Sequence, residues 1–144
     1  MSRTPIRELM IPNPVTISPQ ETVGRAIDLM DRHAVRRLPV VRDGKLVGII
    51  TDRDVRRLAG RSSLKLARTD RDEAYLQLPV EEAMTLTVIT LRDFHTVEDA
   101  IRSMLKNKIS GLPILDRDGK LAGIVSEQDV LKFCLELLER EAAG

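Results

Sequence analysis

Two short runs place a hydroxyl and a carboxylate at one fixed spacing: GIITDRD, from Gly48 to Asp54, and GIVSEQD, from Gly123 to Asp129. In each, an apolar run ends at Thr51 or Ser126, and an aspartate, Asp54 or Asp129, follows three residues later. Two chemistries fit. The spacing is that of a capping box, in which the hydroxyl accepts from the helical amide three residues on and the acid folds back to the cap. That arrangement stabilises a helix by about 1 kcal/mol and implies no ligand. The alternative is an anion and sugar site. A strand running straight into a helix presents N–H groups at the positive end of the helix dipole. There a hydroxyl can bond a phosphate, and a carboxylate can accept from vicinal ribose hydroxyls, as acids do at nucleotide sites.

No catalytic set accompanies these pairs. His33 and His95 stand alone, and neither pairs with Cys134 at a zinc-like spacing. Cys134 lies on an apolar helical stripe, which suits a buried, inert thiol. Neither copy of the motif carries the glycine-lysine cradle of a P-loop. The expectation is binding without catalysis and without a metal or required cofactor.

Composition narrows the class. At 144 residues the chain is long enough for a real core, and 42% hydrophobic with 31% charged residues is a globular balance. Aromatics at 2% leave no stacking platform for single-stranded nucleic acid. A formal net charge of +1 supplies no global field toward DNA or an anionic membrane. No apolar run approaches the roughly 20 residues that span a bilayer, and MSRTPIRELM lacks the apolar core of a secretion signal. Cys134 is the only cysteine, so no internal disulfide forms, which fits a reducing compartment. These features together read as a cytoplasmic protein.

The two motifs belong to a duplication. At an offset of 74 Met10 meets Met84, Thr16 meets Thr90, Val23 meets Val97, Ala26 meets Ala100 and Met30 meets Met104. One extra residue, Asp116, moves the offset to 75, and from Leu38 to Val55 eleven of eighteen paired positions are identical. Two long copies rather than many short ones point to a closed pseudo-twofold pair.

Each copy predicts β-α-β-β-α, an α+β fold. A short extended piece, Val15–Ile17 or Val88–Thr90, comes first. Val23, Ala26, Ile27 and Met30 then fall on one helical face, repeated by Val97, Ala100, Ile101 and Met104. Ser18, Pro19 and Glu21 read as cap, first-turn proline and capping-box acid, with Arg92 replacing that serine in the second copy. LPVV, an Asp-Gly turn and LVGII form a hairpin signal, matched by LPIL and LAGIV. Pro39 and Pro113 cannot donate to a ladder and are expected at strand starts or edges. A second helix follows Thr51 and Ser126. The expected organisation is a first repeat over 1–60, a linker segment over 61–77 and a second repeat over 78–141. The run from Arg56 to Arg68 holds five cations and no acid, and Gly60-Arg61-Ser62-Ser63 reads as a break after the helix. Val130, Phe133, Cys134, Leu137 and Leu138 give the last helix an apolar stripe that serves a core or a second subunit.

With IRELM and VEEAM opening the two copies and the LPVV–DG–LVGIITDRD and LPIL–DG–LAGIVSEQD cores closing them, the chain resembles a tandem pair of cystathionine-β-synthase (CBS) domains, from about Ile6 to Leu138. The resemblance implies ligand-binding clefts between the repeats. It assigns phosphate contacts to Thr51 and Ser126, ribose contacts to Asp54 and Asp129, and adenine contacts to Val15, Ile49, Ile89 and Ile124. It also implies phosphate-binding cations before each Leu-Pro pair. The first copy has Arg36 and Arg37 there and the second Ser110 and Gly111, so the two sites are expected to differ. The expectation is a regulatory module for an adenosine-containing ligand, AMP, ADP or ATP. S-adenosylmethionine binding and a purely structural dimerisation role are the alternatives. The resemblance further implies a homodimer through helical faces. An unidentified effector protein is a possible partner, supplied by a separate chain. No membrane is expected, and nucleic acid is an unlikely partner.

Overall fold

The computed structural model of the protein describes residues 3–63 and 74–144. Its elements are β1 (Ile11–Pro12), α1 (Val23–His33), β2 (Arg37–Arg42), β3 (Lys45–Thr51), α2 (Asp52–Ser63), β4 (Leu91–Arg92), α3 (Val97–Asn107), β5 (Gly111–Leu115), β6 (Leu121–Ser126) and α4 (Glu127–Ala143), with short 3-10 turns at Ile6–Glu8, Ala74–Gln77 and Val80–Glu82. The chain forms two compact units, Val15–Val88 and the residues through Pro14 together with Ile89–Gly144. Each sequence repeat thus sends its opening segment to the unit built on the other repeat.

The Val15–Val88 unit closes around Ile17, Val23, Ala26, Leu29, Met30, Leu38, Val40, Ile50 and Val80. The helical stripe of α1 supplies four of these, and β2 and β3 supply the alternate residues Leu38, Val40 and Ile50, as strand pleating requires. Val80 comes from the opening turn of the second repeat and is fully buried. The other unit repeats the plan with Val97, Ala100, Met104, Leu112, Ile114, Val125 and Val130, completed by Ile6 from the first repeat's opening turn. Ile6 and Val80 match at the offset of 74, so both cores are completed in the same way.

These opening segments move the helix starts. The amide of Val23 donates to the Leu78 carbonyl, that of Val80 to Glu21 and that of Glu81 to Pro19. Backbone committed to that pairing cannot begin a helix at Ser18, whose carbonyl instead closes a turn with the Glu21 amide. The cap of α1 is therefore Thr22, whose hydroxyl accepts from the Arg25 amide, and the cap of α3 is Thr96 in a full capping box with Asp99. Both helices end on left-handed residues, Ala34 and Lys108.

The first strands are shorter than Val15–Ile17 and Val88–Thr90 suggest, and the second lies later. The first copy keeps one parallel bridge, Ile17 to Val40, and the second keeps β4, pairing Leu91 with Ile114. Pro39 and Pro113 are each the third residue of their strand rather than the first, opposite Ile49 and Ile124. The parallel neighbour engages one residue further on, so the missing proline donor interrupts neither ladder. Asp43 and Gly44 both have positive φ, the backbone of a two-residue type I′ hairpin turn. In the other hairpin the inserted Asp116 changes the turn. The Gly119 amide donates to the Asp116 carbonyl and the Asp116 carboxylate accepts from the amides of Asp118 and Lys120.

Helix α2 continues through Gly60 to Ser63, so no break occurs there. Most of the 61–77 linker and the distal part of the Arg56–Arg68 run lie outside the described residues, and Tyr75, just past them, packs on the Val15–Val88 core.

Candidate functional site

Each strand-to-helix junction is built from a hairpin and the helix that follows it. In β2 and β3, Arg37 stands opposite Thr51, Leu38 opposite Ile50 and Pro39 opposite Ile49. Leu38 and Ile50 are fully buried in the core. Side chains alternate along strands and directly opposed residues share a face. Arg37, Ile49 and Thr51 therefore share the face turned away from that core. In the second hairpin the same positions hold Gly111, Ile124 and Ser126, behind the buried Leu112 and Val125. The junctions share one apolar, hydroxyl-bearing plan, and the exchange that changes its charge is Arg37 for Gly111.

The capping box is present at both. Asp54 Oδ2 accepts from the Thr51 amide at 2.9 Å and lies 3.1 Å from the Thr51 hydroxyl, which accepts from the Asp54 amide at 3.1 Å. Ser126 and Asp129 repeat this at 2.8, 2.9 and 3.2 Å. Thr96 and Asp99, at the start of α3, make the same box. Capping thus fully accounts for the hydroxyl and for one oxygen of each carboxylate. The first helical amides are also in use: Asp52 donates to the Arg36 carbonyl and Glu127 to that of Ser110, each at 2.8–2.9 Å. A phosphate here would meet fewer free amides than an uncapped helix offers.

What the box leaves over is the second carboxylate oxygen, and there the junctions part. Asp54 is the one charged or polar residue among the described residues that is buried, at 7% exposure. Its Oδ1 receives the Thr85 hydroxyl at 3.3 Å. Thr85 is held over the junction by its backbone, which exchanges two hydrogen bonds with Ile49 at 2.8 and 3.0 Å. At the matching place Ile11 pairs with Ile124 and brings no hydroxyl. Asp129 is half-buried, and among the described residues no protein group other than Ser126 bonds its carboxylate. Thr85 is a residue that sequence reasoning missed. Its only signal was its place after Met84, where the first copy has Ile11 after Met10.

The close approach of these segments explains the glycine that opens each motif. A Cβ on Gly48 would lie 2.7 Å from Met84 Sδ and 3.0 Å from the Thr85 carbonyl oxygen. On Gly123 it would lie 2.7 Å from Met10 Sδ and 2.8 Å from the Ile11 carbonyl oxygen.

The remaining candidates fall as follows. Arg36 is exposed just ahead of β2, while Arg37 is half-buried on the Thr51 face. Val15 and Ile89 are half-buried and pack against the cores of their respective units. Asp54, Thr51, Ile49, Arg36, Arg37 and Val15 thus belong to one unit, and Asp129, Ser126, Ile124 and Ile89 to the other. His95 is occupied structurally: its Nδ1 accepts from the Arg92 amide at 2.8 Å and its ring contacts that of Phe94. Among the described residues no group of three or more metal-ligating side chains converges, and no helix is long and apolar enough to cross a membrane.

Two capped strand-to-helix junctions on duplicated units define a CBS pair, and the CBS domain family matches residues 6–61 and 80–136. The chain belongs to that family. A CBS domain-containing protein of Dictyostelium discoideum is 35% identical over 135 residues, covering 93% of each chain. Among solved structures, CBSX2 in complex with AMP is similar with a TM-score of 0.77 at 29% identity, over 93% of this chain and 98% of that one. The CBS domain pair of protein MJ0100, in complex with 5′-methylthioadenosine and S-adenosyl-L-methionine, gives a TM-score of 0.78 at 27% identity, over 92% and 96% of the two chains.

Proposed function

We propose that this protein is a non-catalytic regulatory module that binds an adenosine-containing ligand, AMP, ADP or ATP, at its two strand-to-helix junctions. The observation that carries the reading is the matched pair of junctions, each with a carboxylate oriented by a hydroxyl three residues before it, on a chain similar to a protein solved with AMP. Asp54 and Asp129 accept from ribose hydroxyls, Thr51 and Ser126 meet phosphate, and Ile49 and Ile124, with Val15 and Ile89, border the base. Arg36 and Arg37 direct the more highly charged ligand to the Val15–Val88 unit, because a guanidinium fork matches phosphate oxygens. Ligand acts by differential affinity for two arrangements of the protein and so alters a separate effector. The protein works in the cytoplasm as a homodimer through helical faces.

S-adenosylmethionine is the second reading, supported by the similarity to the MJ0100 pair. Thermal melts with ATP, ADP, AMP and S-adenosylmethionine separate the readings, since a ligand bound only by the folded state raises the melting temperature. Calorimetry on Asp54→Ala and Asp129→Ala then assigns the sites. Loss of nucleotide affinity unequal between the two variants is the expected result. Melts unmoved by all four compounds would leave only a structural dimerisation role.

A further inference from the structure

We infer that Thr85 is a specificity-determining residue: its hydroxyl occupies the oxygen of Asp54 that a sugar diol would use, and so biases the Asp54 junction against uncharged nucleosides while the Asp129 junction stays open to them. The inference rests on the proposed binding role of these junctions and deepens it. Each capping box consumes one carboxylate oxygen and leaves one. At Asp54 the remaining oxygen, Oδ1, already receives the Thr85 hydroxyl at 3.3 Å, and the residue is 7% exposed. The Thr85 backbone holds the residue over the junction, bonded through both its N–H and its C=O to Ile49. At Asp129 the equivalent segment offers Ile11, also fixed by strand pairing, which has no group to donate. A diol reaching Asp54 must exchange with a protein hydrogen bond, whereas at Asp129 no donor among the described residues beyond Ser126 competes. The cost at Asp54 is offset only by a ligand that gains elsewhere, and Arg37 opposite Thr51 supplies that gain to a phosphate.

The test is calorimetric titration with adenosine and with AMP. In an Asp129→Ala background, Thr85→Val removes the competing donor. Adenosine affinity should rise about two- to tenfold, the worth of one net hydrogen bond. Thr85→Ser should behave as the parent, which a merely structural role for the side chain would not require. Thr85→Ala repeats the measurement without a β-branched fit. In an Asp54→Ala background, Ile11→Thr should weaken adenosine by a similar factor. Unchanged or weaker adenosine binding in Thr85→Val and Thr85→Ala, or a serine variant resembling valine, overturns the inference and leaves the binding role standing. No binding of adenosine or AMP to the unaltered protein overturns both.

Discussion

Arg37 lies directly across the β2–β3 ladder from Thr51, whereas Ser126 faces Gly111 across β5–β6. This one exchange places a permanent cation on the hydroxyl-bearing face of one junction and none on the other. Arg37→Gln should therefore weaken ATP binding about tenfold while changing adenosine affinity little, since a charge-assisted bond to phosphate is lost and no sugar contact is. Competition titrations with ATP and adenosine at two salt concentrations check both the selectivity and its ionic origin.

The glycines that open the motifs are steric requirements. Gly123→Ala drives a methyl to within 2.8 Å of the Ile11 carbonyl oxygen, and backbone on both sides is fixed by pairing. A loss of about 1–3 kcal/mol in urea unfolding is expected, with Gly48→Ala behaving alike. Gly60→Ala is the internal contrast. Nothing lies within 4 Å of its added methyl, and in mid-helix the change should stabilise by about 1 kcal/mol.

Acid sensitivity should be traceable in part to Asp99. The backbone amide of Thr96 donates to its carboxylate and lowers its pKa below the ordinary 3.8, with smaller help from the Thr96 hydroxyl, His95 and Arg102, against the opposing effect of burial. A depressed carboxylate pKa contributes stability that is fully present above the ordinary value and is lost as pH falls through 3.8 toward the folded value. Asp99→Asn should thus be less stable than the parent near neutrality. The gap should close as thermal melts are carried from pH 5 down to about pH 3.

Leu131, Leu135 and Leu138 follow one side of α4 at 62%, 56% and 63% exposure. If a second copy covers them, Leu135→Glu should convert a dimer into a monomer in light scattering at matched concentration, with the melting transition retained.

Much of this architecture can be read from residue patterns because the relevant forces are local. The apolar stripe at Val23, Ala26 and Met30 and the Asp43-Gly44 turn depend on neighbours in sequence, and both stand as expected. The boxes at Thr51 and Ser126 are equally local. What escaped the reading is set by distant pairing. Ser18 has every local mark of a cap, yet the 78–81 backbone claims Pro19, Glu21 and Val23 and delays the helix to Thr22. Thr85 escaped for the same reason: a hydroxyl 31 positions from Asp54 has no periodic signature. Gly60 misled in the opposite direction, since α2 tolerates it without a break.

The exchange of opening segments governs how the chain can be assembled during synthesis. Ile6 is synthesised well before the core it completes: the carbonyl that receives its amide belongs to His95 and the strands that enclose it run to Ser126. That turn must therefore wait for the second repeat before it finds its place, and a nascent chain halted between the repeats carries an orphaned hydrophobic plug. Closing so long a loop before any reward slows folding. Cut at the repeat boundary, each half loses the turn that completes its core, Val80 or Ile6.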